Sequence, residues 1–163
     1  MLSLDDGRWL AVFRANLAEY KTDYVNVFGK TFRQPPLWQS ISNDRGKTWS
    51  RPAHIRSAHQ PRLLRLPDGS IMLTSRNVST LSFQISYNEG ESWSFENGVL
   101  SYPDRHLFAG TYHLSDLSVV VLDDRTLLGT YFCDDRCEGG PRIAAIWIRA
   151  LAAGSAEARE RGL

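Results

Sequence analysis

Ser42-Asn43-Asp44-Arg45-Gly46-Lys47-Thr48-Trp49 is the stretch that decides how this chain folds, and Ser86-Tyr87-Asn88-Glu89-Gly90-Glu91-Ser92-Trp93 is its near copy. In the first, Asp44 is placed to accept hydrogen bonds from backbone N–H groups of its own turn. Gly46 supplies the left-handed backbone that the turn needs. Thr48 and Trp49 then start a returning strand, with Trp49 expected to pack under the hairpin. In the second copy Asn88 stands where Asp44 does, and it both accepts such bonds and tolerates left-handed geometry. Gly90, Ser92 and Trp93 complete it.

Outward from each motif, the preceding residues alternate as a strand should. Trp38-Gln39-Ser40-Ile41-Ser42 leads into the first and Leu81-Ser82-Phe83-Gln84-Ile85-Ser86 into the second. A second repeat lies further out. Leu2–Leu10, Leu64–Met72 and Val120–Leu128 each read as an apolar strand, a tight turn and another apolar strand. Asp-Gly between apolar runs is a strong hairpin signal. Arg125 replaces the glycine in the third copy, so a different turn is expected there. The turns recur from Asp6 to Asp68 to Asp124, wider than a minimal blade of roughly 40–50 residues. An insertion at about Ala15 to Leu37, ending in Pro35-Pro36, accounts for the first excess.

The order is therefore strand, Asp-Gly turn, strand, connection, strand, motif turn, strand: one four-stranded antiparallel blade of an all-β propeller. The expected units are 1–57, 58–102 and 103–149. The third has strands at Leu117–Leu122, Thr126–Phe132 and Arg142–Arg149 and no motif after them. Residues 150–163 form a C-terminal tail rich in Ala, Glu and Arg.

Composition narrows the functions. The chain has 163 residues, 42% of them apolar and 11% aromatic, as in a globular domain with a core. A net charge of +1 and no basic stripe exclude an electrostatic nucleic-acid binder. No apolar run approaches the ~20 residues of a membrane span. No signal peptide opens the chain, which reads as cytoplasmic as written and as secreted if cut from a longer protein. Cys133 and Cys137 permit a small disulfide loop without requiring one, and two thiols alone make no zinc site. No metal or organic cofactor is expected. Asn77-Val78-Ser79 fits an N-glycosylation pattern that matters only in a eukaryotic secretory setting.

The paired motifs, each behind an Asp-Gly hairpin, resemble the Asp-box (BNR-repeat) sialidase/neuraminidase superfamily. The segment from Asp116-Leu117-Ser118-Val119-Val120 through Gly129-Thr130-Tyr131-Phe132 to Pro141-Arg142-Ile143-Ala144-Ala145-Ile146 is similar to the final blade of sialidase-like glycoside hydrolases. The resemblance covers about residues 1–149 and implies a C-terminal part of a six-bladed propeller, with about three of six blades. It also implies that the Asp-box residues Ser42, Asp44, Gly46, Thr48, Trp49, Ser86, Asn88, Gly90, Ser92 and Trp93 are structural and lie on the face opposite an active site.

Strand direction reaches the same division independently. The Asp-Gly and Asp-box turns share one face, so the other connections share the opposite one. Arg14, Arg76 and Tyr131 follow second strands, and His59, Gln60 and Asp116 precede first strands; these are the site candidates. A sialidase-like site implies arginines that hold a substrate carboxylate, a Tyr nucleophile and a carboxylic acid of raised pKa. Arg14 and Arg76, equivalent in successive repeats, are the carboxylate-binding candidates, with His59 and Gln60 beside them. Tyr112, in Gly110-Thr111-Tyr112-His113-Leu114-Ser115-Asp116, resembles the nucleophile segment with two extra residues; Tyr131 is the other tyrosine candidate and Asp116 a polar site residue. The plainer alternatives are a surface-paired arginine, a packed strand tyrosine, a strand-start cap at Asp116, and polar loop positions for His59 and His113. An acid/base carboxylate has only Asp23 and Glu19 as weak substitutes, so no complete catalytic set is in view.

Two functions follow from this. One is a sialidase-like glycoside hydrolase acting on terminal sialic acid or a related sugar, whole or as a truncated inactive fragment. The other is a non-catalytic Asp-box propeller module that binds glycans or proteins. A purely structural repeat module is a third reading. Half a ring would expose sheet edges and faces, so either further N-terminal blades or self-association is expected.

Overall fold

The computed structural model describes residues 1–15, 22–25, 31–77, 80–94, 97–98, 115–133 and 142–149. Among them there is no helix. The strands are β1 (Leu2–Ser3), β2 (Trp9–Arg14), β3 (Thr22–Val25), β4 (Thr31–Gln34), β5 (Pro36–Ser42), β6 (Ala53–Ser57), β7 (His59–Arg65), β8 (Ile71–Asn77), β9 (Thr80–Ser86), β10 (Asn97–Gly98), β11 (Ser115–Val121), β12 (Thr126–Cys133) and β13 (Arg142–Arg149). They form sheets in the orders β1-β2-β5-β6, β10-β9-β8-β7 and β11-β12-β13, with β3-β4 as a separate hairpin. Every pairing is antiparallel. The all-β, propeller-blade architecture expected from the sequence is thus the observed one, and the three sheets do not close on themselves.

The insertion after β2 contains the β3-β4 hairpin, with Asp23 paired to Arg33 across it at 3.3 Å. The residues from 103 to 114, the tail and the Cys133–Cys137 pair lie outside the described side chains.

The first two hairpins share one turn. Gly7 N–H donates to Leu4 O at 3.0 Å and Leu4 N–H to Arg8 O at 2.8 Å; Gly69 and Leu66 repeat this with Leu66 O and Ser70 O at 3.0 and 2.8 Å. Gly7 and Gly69 sit at φ of 86° and 84°. At the third turn Leu122 N–H donates to Thr126 O and no residue takes a positive φ, so Arg125 fits. Asp123 holds that turn by accepting from Arg125 N–H at 2.8 Å.

Cross-strand registry fixes which face of each sheet meets its neighbour. Leu10 pairs with Ile41 and Val12 with Gln39, so these four share one face of the first sheet. That face packs on the second sheet. Leu10, Leu4 and Ile71 form a buried cluster with Leu2, Val12, Ile41, Leu63 and Trp93 around it. Fully burying a Leu- or Ile-sized side chain contributes roughly 1.5–3 kcal/mol, so this seam is a main source of cohesion. Polar groups reinforce it. Arg65 holds Glu89 in a bidentate pair at 2.6 and 2.9 Å and donates to Gly69 O, while Asp5 N–H reaches Glu89 at 3.3 Å. β7 also packs against β1 and β2, and β11 against β7 and β8, so the first strand of each later sheet lies against the first two strands of the sheet before it.

Candidate functional site

The two Asp-boxes fold alike. In the first, Ser42 Oγ donates to Asp44 Oδ1 at 2.8 Å and accepts from Gly46 N–H at 2.7 Å. Asp44 then accepts from Thr48 N–H at 2.8 Å and Thr48 Oγ–H at 2.6 Å. These bonds, the Thr48 hydroxyl first, hold the Asp44 carboxyl at about 2, well below its ordinary 3.8. In the second box Ser86 donates to Asn88 Oδ1 at 3.0 Å, Gly90 N–H to Ser86 Oγ at 2.9 Å and Ser92 N–H to Asn88 Oδ1 at 2.9 Å. Asn88 Nδ2–H donates to Ser92 Oγ at 2.9 Å, reversing the direction of the Thr48–Asp44 bond. Each box takes two successive left-handed residues, Arg45 and Gly46 (58° and 87°) and Glu89 and Gly90 (55° and 85°). The polar groups of Asp44 and Asn88 are thus spent on their own turns, as a structural role requires.

The tryptophans differ. Trp93 Nε1–H donates across the seam to Gln39 Oε1 at 2.8 Å, and Gln39 Nε2–H returns to Gly90 O at 3.0 Å. Trp49 Nε1–H instead donates to Gly46 O of its own box at 3.2 Å, and the side chain is 39% exposed.

At the other end of the strands, three candidate residues converge. Arg14 ends β2, His59 opens β7, and Arg76 on β8 is the cross-strand partner of His59. Arg14 Nη1 lies 3.2 Å from His59 Nδ1, so the imidazole accepts and the guanidinium donates. Burial, then the charges of Arg76 and Arg14, push His59 from 6.5 down to about 4. The imidazole is therefore neutral at pH 7 and leaves two positive guanidinium groups around it. Gln60 takes a left-handed φ of 53° in a bulge between His59 and Arg62, and its Oε1 is buried with no hydrogen-bond partner among the described residues. A non-glycine residue in that region costs of order 1–3 kcal/mol, and such strain clusters at functional positions.

Arg56 was not anticipated. Arg14 pairs with Leu37 and Leu37 with Arg56, so Arg56 occupies the same cross-strand row. Its position just before the connection to β7 was the available signal, since the connection from a fourth strand to the next first strand lies at the same end. Trp38, whose ring meets the His54 ring edge-on at 5.4 Å, lies on the opposite face of that sheet.

The tyrosine candidates are not drawn into this cluster by anything described. Tyr131 is 6% exposed within β12, on the face shared with Leu127, Gly129 and Ile146. Tyr112 and His113 lie outside the described residues, as does the Asp116 side chain, whose backbone belongs to β11. Among the described residues no group of three or more His, Cys, Asp or Glu is placed to hold a metal ion. No helix among them is long and apolar enough to cross a membrane.

No family model and no curated protein matches the chain. Solved structures do. A protein of unknown function from Dyadobacter fermentans DSM 18053 matches over 95% of this chain with a TM-score of 0.55 and 14% identity. A variant of NanB sialidase from Streptococcus pneumoniae matches over 91% with a TM-score of 0.50 and 13% identity. The chain spans 42% of the first and 26% of the second, less than half of either. At these identities the likeness is one of fold, and the chain has a sialidase-like fold.

Proposed function

We propose that this chain is part of a sialidase-like propeller whose cluster of Arg14, His59 and Arg76 binds the carboxylate of an acidic sugar. One observation carries the reading: two arginines from adjacent sheets flank a neutral imidazole at the strand ends opposite the Asp-box turns. Guanidinium groups form charge-assisted, often bidentate bonds to carboxylates, and the neutral imidazole adds no competing anion. The sialidase-like fold of the match to NanB sialidase supports sialic acid as the first sugar to test.

The activity that goes with this reading is glycoside hydrolysis at a terminal sialic acid by retaining chemistry, with Tyr112 or Tyr131 as nucleophile and Asp116 as a polar partner. The burial of Tyr131 weighs against it in favour of Tyr112. The second reading is a non-catalytic module that binds acidic glycans, supported by a sequence that offers only Asp23 and Glu19 as weak acid/base substitutes, Asp23 being paired with Arg33 in the β3-β4 hairpin. Hydrolysis of a fluorogenic sialoside separates the two. Turnover that disappears with Tyr112→Phe supports the enzyme. Binding of the sugar without turnover supports the module, and neither binding nor turnover overturns both.

A further inference from the structure

At the opposite, turn-bearing end, a cavity of about 300 Å³ opens between the second and third sheets, walled by Met72, Phe83, Ile85, Leu127 and Ile148 with Tyr87 at its edge. Its size is at the lower end for small-molecule sites. The repeat explains why it exists. Aligning Gly7 with Gly69 and Ser42 with Ser86 makes Leu10, Gln39 and Ile41 the counterparts of Met72, Phe83 and Ile85. At the first seam those three counterparts receive the next sheet's Asp-box: Gly90 closes on Leu10, whose Cδ2 would stand 2.8 Å from an added Cβ, and Trp93 packs beside Ile41 and bonds Gln39. At the second seam no box follows β13 in the sequence. The chain has five tryptophans, Trp9, Trp38, Trp49, Trp93 and Trp147. The first three belong to the first sheet and its box, and Trp93 is in the first seam. Trp147 is 68% exposed and paired with Leu128, on the face of the third sheet turned away from Ile146 and Leu127. The seat that holds an indole ring at one seam is walled but receives none of the chain's own at the other.

We infer that this cavity binds a neutral planar aromatic ring of indole size. Phe83 in place of Gln39 removes the amide that bonds Trp93 and offers a ring face or edge instead, so the seat selects for aromatic shape over an N–H donor. Charges at the rim are compensated. Asp68 and Asp124 line it together with Arg125 and Arg149, two charges of each sign, and Asp124 stands 3.9 Å from Arg125. A charged head group therefore has no uncompensated partner to gain there. The site is independent of the basic cluster, and its failure leaves that reading untouched.

Titration of the intact chain with indole, followed by protein-observed NMR or calorimetry, tests this. Saturable binding at one site per chain is expected, at least tenfold tighter than hexanol. Met72→Trp, which fills the seat from within, is expected to weaken indole at least tenfold while circular dichroism stays that of the folded chain. If that variant does not fold, the indole-to-hexanol ratio of the wild type decides alone. N-acetyltryptophanamide identifies the source: tighter binding than indole marks a protein Trp side chain as the natural occupant, and exclusion with indole still bound marks a free small molecule. No saturation with indole, equal affinity for hexanol, or a folded Met72→Trp chain that binds indole unchanged overturns the inference.

Discussion

Single residues hold the turns, and their chemistry predicts which substitutions the fold tolerates. Asp44 accepts three hydrogen bonds within its turn, from the Ser42 hydroxyl, the Thr48 N–H and the Thr48 hydroxyl, and Asn88 does the same work with one donor reversed. Asp44→Asn should therefore lower the melting temperature less than Asp44→Ala, as thermal denaturation of the two variants will show. Gly90 is more constrained. It combines a φ of 85° with a Cβ position 2.8 Å from Leu10 Cδ2. Gly90→Ala should cost about 1–3 kcal/mol by urea denaturation, from backbone strain and overpacking together. Gly69, with the same φ and nothing within 4 Å, should lose less on the same substitution.

His59 gives the chain a pH signature. Its folded pKa of about 4 lies below the ordinary 6.5, so the unfolded chain takes up a proton first as pH falls. Its contribution is complete above about 6.5 and is lost between there and about 4. Melting temperature should thus decline across that window, and the decline should be shallower in His59→Asn. In the function proposed, a bound carboxylate would offset the two arginine charges and raise the His59 pKa above about 4, so acidic-sugar binding should strengthen as pH falls toward that value.

Elements show where local patterns suffice. The Asp-Gly hairpins and the strands running into each box were legible because alternation and turn chemistry act over a few residues. The third turn was legible as an exception for the same reason, since Arg125 does not take the left-handed role of Gly7 and Gly69. The β3-β4 hairpin was not, because Asn26-Val27-Phe28-Gly29-Lys30 between its strands lacks the adjacent Asp-Gly pair of the first two turns. The contacts between elements were also hidden. Nothing local says that Trp93 reaches Gln39 in the neighbouring sheet or that Arg65 reaches Glu89, 24 residues further along the chain. Trp93→Phe keeps the ring but leaves Gln39 Oε1 without its donor across the seam. It should destabilise by about 1–3 kcal/mol, the cost of an unsatisfied buried acceptor, measured against the wild type by denaturant titration. Trp49→Phe loses only a bond within its own exposed box and should cost less.

For the whole molecule, strand direction alone divided the two ends, and that division was the most useful functional statement in the sequence. It pointed to Arg14, His59 and Arg76 as one neighbourhood, and the fold brings them together from two sheets. The convergence was legible because equivalent repeat positions occupy equivalent places in adjacent blades. Arg56 and the Gln60 bulge were missed, since a cross-strand row and a left-handed glutamine are products of pairing. The three sheets leave apolar side chains on both outer faces, Phe13 and Trp49 on one and Ile143 and Trp147 on the other.

In the function proposed, the basic cluster of Arg14, His59 and Arg76, and not the turn-bearing end, receives an acidic sugar. Calorimetric titration of the wild type, Arg14→Ala, Arg76→Ala and Tyr87→Ala with N-acetylneuraminic acid tests it most directly. Saturable binding by the wild type is expected, unchanged in Tyr87→Ala and at least tenfold weaker in each arginine variant with the fold retained. Absence of binding by the wild type, or arginine variants that stay folded and bind as well as it does, would contradict it.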